Sequence, residues 1–277
     1  MLKSVFITVV LLIATGCTHF LFQPVREALF NPVEHGLAVE NIYIEQDMRL
    51  HGWRLPAHGK SKGILLFFHG NGENISSHVG SVFWLPEKGY EVYLFDYRGY
   101  GQSDGIPEIN GVVEDSVQML KYAVNAARES GLKLFVLGHS LGGSLAITAM
   151  ARLEGRAEVT ALITANAFSD YRRVTRDILS QHWLTGLLRW PLSLLISNRY
   201  RPLDVITDIA PVPVYILHSE ADKIIPARHA DALYKVASQP KFLVKTVGGH
   251  NQNFALPENR KLLLDILEKH EISILNE

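Results

Sequence analysis

The sequence predicts an α/β fold built on one mostly parallel, doubly wound sheet. Short runs rich in β-branched and aromatic residues alternate along the chain with segments of helical periodicity. Strands that are separated by helices require crossover connections, which place them parallel in one sheet. Solid apolar runs such as Ile64–Phe68 are typical of strands buried on both faces. With 277 residues, 47% of them hydrophobic, the chain can bury one large core.

Composition excludes several other classes of protein. The apolar fraction and a formal net charge of −1 exclude a disordered chain. Basic and acidic residues balance at 27 and 28, without a run of like charge, so we expect no nucleic-acid partner. A single cysteine excludes an internal disulfide framework and a cysteine-rich metal site.

The first residues have the layout of an export signal. Lys3 precedes an apolar run from Val5 to Ala14, and small residues then lead to Cys17. This pattern resembles the lipobox of bacterial lipoproteins, and predicts a signal peptide over residues 1–16 with Cys17 lipidated at the mature N-terminus. An uncleaved signal anchor with an incidental cysteine is the alternative. Both interpretations predict an exported, membrane-anchored protein that faces the periplasm or the cell exterior.

Residues 17–39 are predicted to anchor the protein and to pack on a domain that spans residues 40–277. The predicted strands, of which the first two form a hairpin, are Asn41–Glu45, Leu50–Leu55, Ile64–Phe68, Glu91–Phe95, Leu134–Leu137, Ala161–Thr164, Val212–Leu217 and Phe242–Val247. The predicted helices between them are Ser76–Lys88, Val112–Glu129, Leu141–Leu153, Ala227–Ser238 and Asn259–His270.

One connection is longer than a crossover requires. About 45 residues separate Asn166 from Val212, where a few residues and one helix would suffice. Within it, Trp183–Ile196 is strongly apolar and is interrupted only by Arg189 and Pro191. We interpret residues 168–208 as a lid of one or two short helices over the sheet edge. A core helix of the main domain is the alternative.

A candidate nucleophile lies in Gly138-His139-Ser140-Leu141-Gly142, which matches G-x-S-x-G. The pattern is short enough to occur by chance, so its context matters. It lies where an apolar strand meets a helix-forming run, as a nucleophile elbow requires. The glycines avoid clashes with the neighbouring strand and helix, and the strained turn exposes the hydroxyl of Ser140. A plain glycine-rich turn is the alternative.

A serine needs a base and an acid that orients the base, and in this arrangement they follow in the order Ser, acid, His. His250 follows the last predicted strand within a glycine-containing loop, and Asp222 lies in the loop after the preceding strand. The sequence therefore predicts Ser140, Asp222 and His250 as catalytic residues. The competing residues are His218 and His229 for the base, and Glu220 and Asp170 for the acid.

An oxyanion intermediate needs two backbone N–H donors. Leu141, directly after the serine, supplies one, and Asn71 in the loop after the first central strand supplies the other. The functional alternative for that loop is phosphate binding, but the Lys and Ser/Thr of a P-loop are missing. The sequence contains no metal-ligand motif, so we expect neither a metal nor a cofactor.

Together these residues resemble a serine hydrolase of the α/β-hydrolase superfamily, in its serine-aminopeptidase-like and monoglyceride-lipase-like branch. Phe95–Ser103, His69–Gly72 and the Glu220–Asp222 loop with Pro226 carry the resemblance. It extends to small membrane-attached members, some of which are palmitoyl-protein thioesterases, and to exported bacterial lipoprotein hydrolases. The resemblance implies an α/β-hydrolase fold that places the catalytic residues at one end of the sheet.

The expected activity is cleavage of carboxylic esters or thioesters through an acyl-enzyme. The apolar lid favours a hydrophobic acyl group, in a small-molecule or lipid-like substrate. A serine aminopeptidase or amidase is the first alternative, and it would need carboxylates near the lid to bind a substrate ammonium group. A non-catalytic tethered binding protein is the second, although such proteins typically lose one of the three catalytic residues.

Overall fold

Eight strands form one sheet in the computed structural model, which describes residues 21–45, 47–181 and 183–269. The strands are β1 Glu40–Glu45, β2 Arg49–Leu55, β3 Gly63–Phe68, β4 Tyr90–Phe95, β5 Lys133–His139, β6 Val159–Ala165, β7 Val214–Ser219 and β8 Lys241–Thr246. Their order across the sheet is β1-β2-β4-β3-β5-β6-β7-β8. Strands β1 and β2 are antiparallel to their neighbours, and the pairs from β4 to β8 are parallel.

Helices cover both faces of this sheet. Those in the described residues are α1 Ile75–His78, α2 Ile109–Ser130, α3 Leu141–Arg152, α4 Tyr171–Leu179, α5 Trp183–Leu194, α6 Pro202–Val205, α7 Arg228–Val236 and α8 Pro257–Lys269. Short 3-10 helices occupy Val33–His35, Val79–Ser81, Pro86–Lys88, Arg156–Glu158, Ile206–Ile209 and His250–Ala255. No helix in the described ranges combines the length and the apolar character that a membrane crossing requires.

The two faces of the sheet carry separate apolar layers. Along β3, Leu66 and Phe68 join one buried cluster, whereas Leu65 and Phe67 join the other. Successive side chains of a strand point to opposite faces, so a strand that is covered twice is apolar at every position. Burial on both faces therefore explains why the run from Ile64 to Phe68, which predicted β3, is apolar at every position.

The prediction of one helix over Ser76–Lys88 is wrong. Helix α1 begins after Asn74, whose side chain accepts a hydrogen bond from the Ser76 N–H, and ends at His78. Gly80 and Pro86 both disfavour a helix interior, and the chain divides there into two 3-10 helices.

Hydrogen bonds to the carboxylates of Asp96 and Asp115 hold the turn after β4 in place. Asp96 accepts a hydrogen bond from the Ile75 N–H at 2.9 Å, which ties the turn to the start of α1. Arg98 donates to both carboxylate oxygens of Asp115 on α2, at 2.9 and 2.7 Å. Asp96 and Arg98 therefore have a structural role in this turn.

The described N-terminal residues run beside the loop that follows β3. Phe22 is buried in the core, and the Gln23 N–H donates to Asn71 Oδ1 at 3.0 Å. Asn74 Nδ2 donates to the carbonyl oxygens of Val25 and Glu27. The predicted signal peptide over residues 1–16 and the predicted lipidation at Cys17 lie outside the described residues.

Candidate active site

Ser140 lies at a sharp turn between β5 and α3. Its backbone has φ 55° and ψ −117°, and α3 begins at the next residue. A Cβ at Gly138 would lie 2.5 Å from the Gly142 carbonyl oxygen, and one at Gly142 would lie 2.2 Å from the Phe68 carbonyl oxygen. Only glycine fits at these two positions, so the flanking glycines allow the strained turn that presents Ser140.

The structure brings Ser140, His250 and Asp222 together. His250 Nε2 lies 2.9 Å from Ser140 Oγ, and His250 Nδ1 lies 2.6 Å from Asp222 Oδ2. The three residues follow β5, β7 and β8, which are parallel strands whose carboxyl ends share one edge of the sheet. That edge is where parallel sheets place their ligands.

The hydrogen bonds of Asp222 determine which ring nitrogen of His250 carries the proton. Its Oδ1 accepts hydrogen bonds from the N–H groups of Ile224 and Ile225 at 2.8 and 2.9 Å. Burial acts to raise the pKa of Asp222, but the hydrogen bonds from His250, Ile225 and Ile224 outweigh it and lower the pKa. An ionised carboxylate only accepts, so His250 Nδ1–H donates to Asp222 and Nε2 accepts from the Ser140 hydroxyl.

The two predicted oxyanion donors face the same cleft. Asn71 and Leu141 both line it together with Ser140. Asn71 Oδ1 accepts from the Gly72 N–H and the Tyr100 hydroxyl, which holds the loop in place. Within the described part of the chain, neither the Asn71 nor the Leu141 backbone N–H donates to another protein group. Both donors are therefore available to an oxygen of a ligand.

The cleft beside Ser140 has a volume of about 250 Å³. Its apolar wall includes Phe168, Val174, Ile178, Ile224 and Ile225. Two of these belong to α4, within the segment predicted as a lid. Of the described residues that line the cleft, none is an aspartate or a glutamate. Residues 21–45, 47–181 and 183–269 contain no group of three or more His, Cys, Asp or Glu side chains placed to hold a metal ion.

The competing residues occupy other positions. Glu220 forms an exposed ion pair with Lys245 at 2.7 Å, and Asp170 caps α4 by accepting from the Arg173 N–H. His218 lies within β7. Among the described contacts, none of the four competing residues forms a hydrogen bond with Ser140 or His250.

His229 belongs to a second Ser-His-Asp set, which is buried. The Ser169 N–H donates to His229 Nδ1 at 3.1 Å, with Ser169 Oγ 2.9 Å from the same nitrogen. Nδ1 is thus the acceptor, and Nε2–H donates to Asp177 Oδ2 at 2.9 Å. Asp177 lies on α4 and His229 lies on α7, so this set joins the two helices. Because Ser169 and His229 are fully buried, it presents no hydroxyl to a substrate.

Two polar residues that sequence reasoning did not identify hold the loop of His250. His139 Nε2–H donates to the His250 carbonyl oxygen at 2.9 Å, and Asn166 Nδ2 donates to the same oxygen at 3.2 Å. Asn166 Oδ1 also accepts from the Ser219 N–H at 3.2 Å. Asn166 adopts a left-handed backbone, with φ 51°, at the end of β6. The only sequence signal was the place of His139 inside the serine motif.

Acid is expected to destabilise the protein through His139. Burial, together with the nearby imidazole of His250, lowers the pKa of His139 from 6.5 to about 3. Between these values the unfolded chain binds more protons than the folded chain, so stability falls as the pH falls. The free energy of unfolding should drop by up to about 1.4 kcal/mol per pH unit from this group. Urea unfolding at several pH values measures the slope.

The matched variant is His139→Gln, which keeps an N–H donor but does not titrate. Between about pH 7 and pH 5 it should lose roughly 2 kcal/mol less stability than the wild type. The other buried histidines contribute equally to both proteins. If the free energy of unfolding falls with the same slope in both proteins, His139 binds protons to the same extent in the folded and the unfolded chain.

Comparison with known proteins gives a family match. The family model described as "Serine aminopeptidase, S33" matches residues 59–208, which include Ser140 and end before Asp222 and His250. The uncharacterized protein YfhR of Salmonella typhi is 31% identical over 204 residues, which are 69% of this chain and 66% of that protein. The lysophosphatidylserine lipase ABHD12 of Danio rerio is 30% identical over 210 residues.

The ABHD12 alignment covers 73% of this chain and 53% of that lipase, so the chain spans between half and two thirds of these two relatives. Among solved structures, the esterase Pf2001 of Pyrococcus furiosus has a TM-score of 0.73 at 18% identity, over 90% of this chain and 97% of that one. This likeness concerns the fold alone. It confirms, with the family match, the α/β-hydrolase fold expected from the sequence.

Proposed function

Because the chain belongs to the serine aminopeptidase S33 family of α/β-hydrolases, which are hydrolytic enzymes, we propose that it cleaves carboxylic esters or thioesters through an acyl-enzyme on Ser140. The observation that carries the proposal is the continuous hydrogen-bonded row of Ser140, His250 and Asp222, at 2.9 and 2.6 Å. A hydroxyl becomes a competent nucleophile when a positioned base takes its proton, and the row supplies that base with its orienting acid.

In the acylation step, His250 Nε2 takes the proton of the Ser140 hydroxyl as its oxygen attacks the acyl carbonyl. The carbonyl oxygen becomes an oxyanion, and the N–H groups of Asn71 and Leu141 donate to it. Asp222 remains ionised and stabilises the imidazolium that forms. The imidazolium then gives its proton to the departing alcohol or thiol as the tetrahedral intermediate collapses.

Deacylation reverses these roles with water as the nucleophile. His250 takes a proton from a water molecule, the hydroxide attacks the acyl carbon, and Ser140 leaves with the proton that His250 returns. The steps require no group beyond the side chains and backbone N–H groups named here. They leave a free carboxylic acid as the second product.

We further propose a hydrophobic acyl portion of medium or greater length. The apolar part of the cleft wall, which includes Phe168, Val174, Ile178, Ile224 and Ile225, supports this choice. An acyl chain that enters the cleft removes apolar surface from water on both partners. The relative ABHD12 of Danio rerio is a lysophosphatidylserine lipase, and this activity points in the same direction.

The acyl preference predicts a dependence of rate on chain length. Across p-nitrophenyl acetate, butyrate, octanoate and decanoate, kcat/KM should rise with the acyl chain. Ile178→Ser should lower kcat/KM for the octanoate roughly tenfold and leave the acetate nearly unchanged, because an acetyl group offers little apolar surface for Ile178 to cover. Ile178 is already part-exposed, so the change should not disturb the fold.

The matched control for this series is Ile106→Ser, at an exposed isoleucine outside the cleft lining. It should leave the whole chain-length profile as in the wild type. A wild-type rate that is highest on acetate and gains nothing on longer esters would contradict the hydrophobic acyl site.

Aminopeptidase activity is the second candidate, and the description of the family model favours it. A substrate ammonium group would need a carboxylate in the cleft, and no described residue that lines the cleft supplies one. Parallel assays of a p-nitrophenyl ester and an aminoacyl p-nitroanilide separate the two. Faster turnover of the anilide would overturn the ester assignment.

Export and membrane anchoring remain part of the proposal. The charged Lys3, the apolar run from Val5 to Ala14 and the position of Cys17 support a lipoprotein signal over residues 1–16. Metabolic labelling with a fatty-acid probe should mark the wild type and not Cys17→Ser. Equal labelling of both would exclude lipidation at Cys17.

A further inference from the structure

Helix α5 turns its large apolar side chains away from the protein. Trp183 is 82% exposed and Leu187 is 75% exposed. The other exposed members of this outward face are Leu184, Leu188, Trp190 and Leu194. A helix on the surface of a soluble domain normally buries such residues. An exposed apolar patch of this kind marks a contact with something outside the molecule.

The inner side of α5 is small and polar. Thr185 Oγ1 donates to the Leu179 carbonyl oxygen at 2.8 Å, which attaches the start of α5 to the end of α4. Ser193 is buried, and its Oγ lies within hydrogen-bond distance of Arg176 on α4. Gly186 lies against the backbone of Leu179 and Ser180. These contacts fix which side of α5 faces outward.

Four arginines lie on α5 or next to it in the sequence or the structure. Arg189 and Arg199 are exposed, the guanidinium of Arg176 lies over the Trp190 ring, and Arg172 donates to the Ile196 carbonyl oxygen. In the described part of the chain, none of these four has a carboxylate partner within salt-bridge distance. No aspartate or glutamate occurs between residues 178 and 203. The face therefore combines tryptophan, leucine and uncompensated positive charge.

The described chain begins beside the residues that follow α5. Leu21 and Phe22 line a small cleft together with Leu195, Ile196 and Ser197, which directly follow α5, and with Glu108 and Ile109. The first described residues therefore lie on the same side of the domain as the end of α5.

We propose that the outward face of α5 docks on the surface of an anionic phospholipid bilayer. Tryptophan, leucine and arginine on one helix face are the combination that lies in the interface between headgroups and acyl chains. Anionic lipids neutralise the unpaired arginines, whereas the same face of a second copy would repel them. Val174 and Ile178 of the adjacent α4 line the catalytic cleft, so docking holds that cleft beside the lipids.

Tryptophan quenching tests the proposal on the full chain. Trp53 and Trp84 are buried, so quenching by phosphatidylcholine with brominated acyl chains, mixed with phosphatidylglycerol, reports on Trp183 and Trp190. We expect strong quenching on these vesicles and weak quenching when phosphatidylglycerol is left out. Trp183→Phe with Trp190→Phe keeps the apolar face and should abolish the quenching.

Two further variants separate the contributions of the apolar face and the charges. Leu184→Ser with Leu187→Ser should weaken vesicle binding of α5, measured by quenching, at least about tenfold. Arg189→Gln with Arg199→Gln should weaken it on the order of tenfold on anionic vesicles only. The matched control is Val33→Ser, at an exposed apolar residue near Phe30, which packs on the other face of the sheet.

Insertion of the N-terminal residues alone would attach the chain to vesicles without quenching Trp183 or Trp190, and that result would overturn the proposal. A concentration-dependent dimer that buries α5 and shows no quenching would assign the face to a second copy instead. Because Ser140→Ala should quench as the wild type does, the outcome is independent of whether the esterase proposal holds.

Discussion

Replacement of Ser140 by alanine is expected to lower kcat on a p-nitrophenyl ester by on the order of 10³-fold or more. Alanine removes the oxygen that is acylated, and the oxyanion donors and cleft alone leave only a residual rate. The same change should abolish labelling by a fluorophosphonate, which reacts with the activated serine. Steady-state kinetics and gel detection of the labelled protein measure the two effects.

The chain offers a matched control in Ser169, which also contacts a histidine that is bonded to an aspartate. Ser169 is buried away from the cleft, so Ser169→Ala should keep labelling and leave kcat within a few-fold of the wild type. Loss of labelling in Ser169→Ala with retention in Ser140→Ala would exchange the two assignments. Circular dichroism confirms that each variant is folded.

Asp222→Asn is expected to lower kcat roughly 10⁴-fold. The amide oxygen of asparagine can still accept from the Ile224 and Ile225 N–H groups, which places its NH₂ group toward His250 Nδ1. Nδ1 must then accept, the proton moves to Nε2, and the imidazole can no longer take a proton from Ser140. KM should change little because Asp222 does not line the cleft.

Glu220→Gln is the control for this prediction, because Glu220 lies in the same loop and was the competing acid. It is exposed, and the hydrogen bond from Lys245 lowers its pKa as an ordinary surface pair does. We expect Glu220→Gln to keep kcat within about twofold of the wild type. An Asp222→Asn enzyme with wild-type kcat would remove Asp222 from the mechanism.

Much of the candidate site could be predicted from the sequence because each of the three predicted catalytic residues lies in or soon after a recognisable local sequence pattern. The glycines around Ser140 mark a turn that only glycine allows, and apolar strands end directly before Asp222 and His250. In a parallel sheet the carboxyl ends of such strands meet at one edge. Chain order and strand ends therefore sufficed to select three residues that the structure brings into contact.

The rest depends on contacts between residues that are distant in the chain. Asn166 donates a hydrogen bond to the carbonyl oxygen of His250, which lies 84 residues later in the chain. No local sequence pattern predicts that hydrogen bond or the left-handed backbone of Asn166. The apolar content of α5 was evident, but which side faces the protein depends on the small inner residues Thr185 and Ser193. Sequence reasoning could place a lid there without predicting that its apolar face points outward.

Mapping the fluorophosphonate adduct by mass spectrometry of the digested wild-type protein tests the central claim most directly. If Ser140 is the nucleophile that His250 activates, one adduct should be found, on the peptide that contains Ser140, and it should disappear after His250→Gln. An adduct on another serine, or ester hydrolysis that continues at the wild-type rate while Ser140 carries the adduct, would contradict the proposed mechanism.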